Sequence, residues 1–525
     1  MTGSKAARWR FVIGRLFLFV LFFNGVASAR DWGRDDIDFG AVRGFAEELS
    51  REPYQAVRRE DLPEWVRNLN YDQYRSIVFN EHHTLWAGEN LPFRTMFFHP
   101  GYIFQEPVMI NEMTDTHRQR VRFSKEFFQY GHLTEHHGPL PPEVGFGGFK
   151  VLADLDGKDG YDELAVFQGA SYWRALGKGQ HYGISARGIA VNTGLEGVEE
   201  EFPAFREFWL KKPQPGAEKL TVFALLDGAS MTGAYEFQID PGDETVMDVK
   251  MVLFPRREIE RLGIAPMSSM FWFGENSRRR FDDFRPEVHD SDGLTIRRGN
   301  GERIWRPVAN DTGLLDFSFF GMDKCDGFGL LQRDRRFDSY EDSEADYHIR
   351  PSLWIEPTSD WGSGNVMLME IPTNNEVADN TVAMWVPDRK VVKGEPLEFS
   401  YRQVWTMNGN PAQADAYVVG SRTGVLDWQK DMRTMVVEFA GESLKDEGGK
   451  LPEGLVEVVG DKTEQVKITD VNVEEMPGDR VRLVFKLTAE GGEGALVGAG
   501  PIELRAALKR GENYLTETWI YRIDP

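Results

Sequence analysis

The sequence predicts a mostly β protein, a large N-terminal antiparallel β-sandwich followed by a smaller Ig-like β-sandwich. Two patterns carry that reading. Between about residues 71 and 405, short apolar runs alternate with Gly, Asp, Asn and Pro, the rhythm of strands joined by tight turns. Beyond residue 419, apolar and polar residues alternate with a period of two, as half-buried strands do. Composition agrees, since 53 Gly with 36 Phe and 14 Trp suit strands and turns better than helix bundles. A chain of 525 residues is long enough for two cores.

Taken in order, the N-terminus reads as an export signal. Lys5, Arg8 and Arg10 form a positive region, residues 16–23 an apolar one, and Ala27-Ser28-Ala29 a small-residue cleavage pattern, with the cut placed after Ala29. The apolar stretch is too short for a membrane span and no later segment qualifies, so no stable membrane insertion is expected after cleavage. No twin-arginine pair precedes it, which points to unfolded export. The spacing of Val42, Phe45 and Leu49 predicts a helix and turn over 39–62, and residues 71–79 read as extended. Strands are expected at 95–98, 163–167, 221–226, 246–253 and 366–371. Residues 391–399 read as a turn and strand that 401–407 continue.

The polar, aperiodic stretch around Pro411 reads as a linker over 408–418. It separates a first domain, 30–407, from an Ig-like domain, 419–525. In the latter, Val481, Leu483, Phe485 and Leu487 alternate with Arg482 and Lys486, and Ile502, Leu504, Ala506 and Leu508 repeat the pattern. About a hundred residues of such strands fit a small sandwich.

The formal charge of −23 excludes nucleic acid, whose phosphates need a basic surface, and adsorption to anionic lipid. It suits a neutral ligand such as a sugar. Cys325 is the only cysteine, so an intrachain disulfide and a Cys/His zinc cage are excluded, and its expected role is packing.

Several motifs invite a chemistry that their context denies. His132-Leu133-Thr134-Glu135-His136 matches a zinc-protease pattern, but the flanking Gly131, Gly138, Pro139, Pro141 and Pro142 predict a loop, not the helix that pattern needs. Asp154-Leu155-Asp156-Gly157-Lys158-Asp159-Gly160 resembles a calcium loop, yet Lys158 and Asp159 stand where an EF-hand needs a ligand and a glycine, so a solvated hairpin turn is expected. Gly177-Lys178-Gly179-Gln180 lacks the length and ending of a phosphate loop. Neither a metal nor another cofactor is expected.

Paired carboxylates offer more, because glycoside hydrolysis needs one protonated carboxyl and one carboxylate. Asp290 and Asp292 follow the aromatic run that contains Trp272 and Glu275. Glu376 and Asp379 lie in a turn after Ile371 and Pro372, and Trp305, Trp354 and Trp361 are near in sequence. Sugar rings stack on such aromatic faces. The competing reading is that these Asp and Asn residues only build turns.

Longer stretches match one family. They include Phe97-Phe98-His99-Pro100-Gly101, Gly169-Ala170-Ser171-Tyr172-Trp173-Arg174-Ala175-Leu176-Gly177 and Ser269-Met270-Phe271-Trp272-Phe273-Gly274-Glu275-Asn276. Arg285-Pro286-Glu287-Val288-His289-Asp290-Ser291-Asp292-Gly293-Leu294, Arg350-Pro351-Ser352-Leu353-Trp354 and Asp379-Asn380 continue the series. In these the chain resembles the bacterial periplasmic (osmoregulated) glucan biosynthesis protein G/D family, most closely its G branch. The resemblance implies a galactose-mutarotase-like sandwich, an Ig-like C-terminal domain, a periplasmic location and action on β-1,2-linked glucose backbones by an inverting glycoside hydrolase or a transglycosylase.

It also implies Asp379 as general acid, Asp290 as base acting through water, and Tyr347 on a loop over the substrate. Trp272, Glu275, Asp292, Trp305, Arg350 and Trp354 are the expected substrate contacts. The segment around Tyr347 departs from the relatives' pattern. Two rival readings remain, a non-catalytic glucan carrier and a structural partner of the inner-membrane glucan synthase.

Overall fold

Residues 37–57, 59–131, 140–157, 160–277, 281–310, 315–426, 428–444, 448–489, 491, 496 and 500–523 are described by a computed structural model. The expected signal segment and the His132–His136 motif lie outside these residues. Among those described, two long sheets dominate, and their facing sides bury one shared core. The first sheet runs from Phe93–Phe98 through Gly148–Ala153, Asp162–Gln168, Tyr172–Ala175 and Ser185–Arg187 to Leu262–Ser269, Thr381–Pro387 and Gly364–Glu370. The second sheet packs against it with Ala204–Lys211, Leu220–Asp227, Met231–Asp240, Thr245–Pro255 and Leu397–Thr406 at its centre. Period-two alternation explains the packing. In Phe93–Phe98 every second residue is buried, and Phe149, Phe167 and Trp173 meet Phe208 and Phe237 across the core.

The helix Phe39–Ser50 forms where its spacing predicts. Asp38 caps it by accepting the Ala41 N–H at 2.8 Å, and Val42, Phe45 and Ala46 pack on Trp209, Phe223 and Phe254 on the outside of the second sheet. The expected extended segment at 71–79 is corrected in its first half. Tyr71–Arg75 is a short helix, with extended pairing only at Val78–Phe79. Its cause is a capping box: Asn70 accepts the Gln73 N–H while the Gln73 side chain accepts the Asn70 N–H.

Some of the glycines make room for tryptophan. A Cβ at Gly293 would collide with the Trp305 ring, one at Gly327 with Trp354, and one at Gly364 with Trp385. In each case the glycine sits diagonally across a strand pair from the indole. Diagonal neighbours are within reach of an aromatic ring, and only the missing side chain lets the ring lie flat.

The C-terminal region is itself two-layered. Tyr417–Leu426, Gln429–Ala440, Arg480–Ala489 and Val466–Met476 form a four-stranded sheet. Glu453–Val459, Ile502–Arg510 and Thr518–Ile523 cover it, and Val437, Phe439, Leu483, Phe485, Leu504 and Leu508 fill the space between. The covering strands also extend the second large sheet, because Trp305 pairs with Trp519 in parallel register. Residues 408–416 carry no strand, yet Ala412, Ala414 and Ala416 are buried and Asn410 brackets Ala414 with two hydrogen bonds.

Candidate functional site: a carboxylate cleft over the first sheet

The outer face of the first sheet provides a polar floor. In Tyr172–Ala175, Trp173 and Ala175 point into the core, while Tyr172 and Arg174 are half-buried on the other side. Arg174 Nε donates to Ser185 Oγ at 2.7 Å, and Nη2 lies 4.0 Å from Asp379 Oδ2.

Asp379 ends a loop between Gly364–Glu370 and Thr381–Pro387. Its neighbour Asn380 staples that loop. Asn380 Oδ1 accepts the Phe271 N–H at 2.8 Å, and its Nδ2 donates to Ile371 O at 3.0 Å. Asp290 follows Val288–His289, and its N–H donates to Met270 O at 2.8 Å. The loops bearing Asp379 and Asp290 are therefore pinned to consecutive residues, Met270 and Phe271. That is how carboxyls far apart in sequence come to share one cleft.

Their surroundings differ. Asp379 keeps 36% of its side chain exposed, so the cleft walls, and not full enclosure, supply the desolvation that raises its pKa. Arg174 opposes that rise, and the charge of Asp290 adds to it. Asp290 is buried, with Arg350 Nη1 at 2.6 Å from its Oδ1. Arg350 also donates through Nε and Nη2 to Ala345 O at 2.9 and 2.8 Å and lies 4.3 Å above the Tyr347 ring. Gly183 clears the floor beneath the pair, since a Cβ there would sit 3.1 Å from Arg350 and 3.2 Å from Asp290.

A second chain of contacts closes the wall. Tyr347 OH donates to Glu376 Oε2 at 2.9 Å, and Arg285 Nη1 reaches the same oxygen at 2.7 Å. Arg285 also holds Asp283 and Asp342 and lies 5.8 Å from the Trp272 ring. Its three carboxylate partners hold the guanidinium firmly charged, Asp283 foremost. The Tyr347 loop is thereby tied to the Asp379 loop.

The protein-family comparison matches residues 37–523 to "Periplasmic glucan biosynthesis protein, MdoG". The chain belongs to that family. It is 43% identical to "Glucans biosynthesis protein G" of Bradyrhizobium diazoefficiens, over 92% of this chain and 93% of that one. It is 40% identical to the protein of the same name from Ralstonia nicotianae, over 97% and 100%, and 41% identical to that organism's "Glucans biosynthesis protein D 1", over 94% and 92%.

The structure brings Asp379, Asp290, Arg350, Tyr347 and Trp272 together, but it places four other expected contacts elsewhere. Trp354 is 1% exposed, nested over Gly327 with its indole N–H donating to Glu356 at 3.0 Å, so it offers no face to a sugar. Trp305 is buried in the C-terminal core under the Arg333 guanidinium, 3.6 Å away. Glu275 and Asp292 line a small cavity with Trp305, Glu287, His289, Asp334 and residues 418–421. That cavity is the seam with the C-terminal sandwich.

At the seam, Gln332 Nε2 donates to His289 O and Tyr347 O at 2.8 and 3.3 Å, which leaves its Oε1 to accept from His289 Nδ1 at 2.7 Å. His289 Nε2 faces Glu287 Oε2 at 2.8 Å. With an acceptor at each nitrogen the ring is an imidazolium. Burial opposes that charge, but Glu287, with help from Asp292 and Asp334, outweighs it and raises the pKa to about 9.

The residues missed as site members are Arg174, Arg285 and Asn380, while Glu376, offered only as a possible carboxylate, turns out to bind Tyr347 and Arg285. Arg174 had a legible signal in its alternation with Trp173 and Ala175; the Arg285–Glu376 contact spans 91 positions and had none. Among the other motifs, the N–H groups of Gly177 and Lys178 go to Gln180 and Gly242, so no phosphate cradle forms. Carboxylate oxygens of Asp154, Asp156 and Asp162 converge within 4.8 Å of one another at the hairpin turn. Burial pushes the Cys325 thiol up to about 12, as a packing role requires. Among the described residues no helix is long and apolar enough to cross a membrane.

Proposed function

We propose that the chain acts in the periplasm on the β-1,2-linked glucose backbone of osmoregulated glucans, as an inverting glycoside hydrolase or a transglycosylase. Asp379 donates the proton to the leaving glycosidic oxygen. Asp290 takes a proton from the attacking nucleophile through an intervening water, since its own carboxylate is buried against Arg350. An inverting pair stands about 6.5–9.5 Å apart so that water fits between acid and base.

One observation carries this reading, the asymmetry between the two carboxyls. Asp379 has its pKa raised and is partly open to solvent, and Asp290 is buried against the Arg350 guanidinium. Environments that split two carboxyls in this way assign acid and base roles. The family's description and the names of the relatives support the glucan substrate class. The synthase at the inner membrane is the expected source of that backbone.

The burial of Asp290 also favours a second reading, a cleft that carries glucan without cleaving it. Incubating residues 30–525 with linear β-1,2-glucan beside Asp379→Asn, and separating the products, decides between them. Shorter or rejoined chains from the unsubstituted protein alone support the enzyme, with a loss of about 10²–10⁴-fold expected for a missing general acid. Glucan bound by both proteins and cut by neither supports the carrier.

A further inference from the structure

The strand Cys325–Leu331 ends at a run of four polar residues, Gln332, Arg333, Asp334 and Arg335. Such a run suits an exposed turn, yet Gln332 is 0% exposed and the Arg333 side chain 4%. Asp292 fixes the course of the segment. Its N–H donates to Leu331 O at 2.8 Å, and its Oδ2 accepts the Arg333 and Asp334 N–H groups at 2.9 and 3.3 Å.

Neighbouring side chains of this segment then serve different bodies. Arg333 reaches the C-terminal side, where it donates to Gly409 O, Val418 O and both carboxylate oxygens of Glu517. Gln332 reaches the back of the cleft. Its Nε2 donates to His289 O and Tyr347 O, its Oε1 accepts from His289 Nδ1, and its backbone N–H donates to Ser352 Oγ at 2.9 Å. Arg335 adds hydrogen bonds to the Arg350 carbonyl and, at 2.8 Å, to the same Ser352 Oγ. A buried amide with every donor and acceptor engaged is held rigidly.

One wall of the cleft is therefore held at Tyr347, Arg350 and Ser352 from a single segment that is itself bolted into the C-terminal seam. The carbonyl just before Asp290 is held from the same place. The Asp379 loop takes its anchors elsewhere, from Phe271 and Ile371 through Asn380. The seam thus bears on one side of the cleft and not directly on the other, so the docking of the C-terminal sandwich sets how the two sides face each other.

We propose that residues 332–335 are a strut by which the docked C-terminal sandwich positions the Tyr347–Arg350 wall of the cleft, with Gln332 and Arg333 as positioning residues that do not touch the ligand. Its part in ligand binding rests on the reading of the cleft as a glucan site. The C-terminal sandwich then has a task in the cleft although it contributes no side chain to it.

The test compares the full chain with Gln332→Met, Arg333→Lys and Arg505→Ala by amide hydrogen exchange, and measures the binding of linear β-1,2-glucan by calorimetry. Gln332→Met keeps the length of the side chain without its amide. Arg333→Lys keeps the charge beside Glu517 but loses the planar fork. Arg505→Ala removes a seam pair off the strut, with Glu302 at 2.7 Å. The first two are expected to speed exchange across residues 345–350 about tenfold, the worth of one hydrogen bond, and to weaken glucan binding. Exchange in Phe93–Phe98, at the far edge of the first sheet, should stay as it is, and Arg505→Ala should leave 345–350 unchanged. Unchanged exchange at 345–350 in Arg333→Lys overturns the strut. So does a general loosening, seen as equal effects in Arg505→Ala or in Phe93–Phe98, and so does a loosened wall that binds glucan as tightly as before. Failure of the unsubstituted protein to bind glucan overturns the glucan reading instead, and the exchange rates still decide whether the strut holds the wall.

Discussion

The cleft and the seam are both crowded with charge, but they treat it differently. In the cleft each carboxylate meets an arginine: Asp379 faces Arg174, Asp290 faces Arg350, and Glu376 faces Arg285. At the seam Glu275, Glu287, Asp292 and Asp334 share one cavity, and burial raises the acids of Glu275, Asp292 and Asp334. An open site with matched pairs can let a proton move to a ligand. The seam, where burial raises three acids, holds protons, and it fastens two sandwiches.

The largest stability effect should come from the seam. Arg333 and Glu517 pair at 2.6 Å with side chains 4% and 0% exposed. Glu517 also accepts the Val418 N–H at 2.7 Å, and Arg333 donates to Val418 O and Gly409 O. Removing one partner of such a pair leaves a buried charge alone, at a cost of about 3–5 kcal/mol. Glu517→Ala should therefore lower denaturant stability by that amount. A loss below about 1 kcal/mol would mean that the seam is wet and the contrast with the cleft is wrong.

The pH response sharpens the same contrast. Burial lifts the Glu275 carboxyl to about 8, partly offset by Arg422, and His289 stands near 9. Both values lie above those of the unfolded chain, so the folded state holds the extra protons. Stability from Glu275 is complete below about pH 4.5 and is lost as pH rises towards 8. The His289 contribution is complete below about 6.5 and is lost through 9. Unfolding midpoints should fall from pH 5 to 9, and Glu275→Gln, which is neutral at every pH, should flatten the lower part of that slope. A slope unchanged in Glu275→Gln would remove Glu275 from the account.

Asn380 tests how the cleft is built. Its amide satisfies Phe271 N–H and Ile371 O, and Asn380→Ala leaves the buried Phe271 N–H without that acceptor, at a cost of about 1–3 kcal/mol. Because Asp379 is the next residue back, the proposed enzyme reading expects glucan turnover to fall in Asn380→Ala at temperatures where the protein remains folded. Turnover equal to that of the unsubstituted protein would show that Asp379 finds its place without the staple.

Legibility in the sequence followed the range of the interaction. Alternation located the strands, since Val481, Leu483, Phe485 and Leu487 are all buried, and helical spacing located Phe39–Ser50. The Asn70/Gln73 capping box was present in the sequence, and reading it would have predicted the helix at Tyr71–Arg75. The tryptophans misled because nearness in sequence does not say which way an indole faces. The glycines opposite Trp305 and Trp354 decide that, and their pairing is known only once strand register is known. Asp379 and Asp290 were legible as candidates in their carboxylate clusters, but their pairing and roles came from resemblance, because their shared anchor at Met270 and Phe271 is a tertiary contact with no local signature.

The smallest expected effect divides the Tyr347 contacts. The hydroxyl donates to Glu376, while the ring lies under Arg350 and against Tyr340, whose centroid is 5.8 Å away. Tyr347→Phe removes the first and keeps the others, so a cost of about 0.5–1.5 kcal/mol is expected. If the ring holds Arg350 over Asp290, glucan binding should survive the change. If the hydroxyl instead ties the two loops, Tyr347→Phe should weaken binding as much as Glu376→Gln does. Equal losses in those two variants would move the closing contact of the cleft from the Arg350–Tyr347 stack to Glu376, and the cleft would then be held, like the seam, by a shared carboxylate.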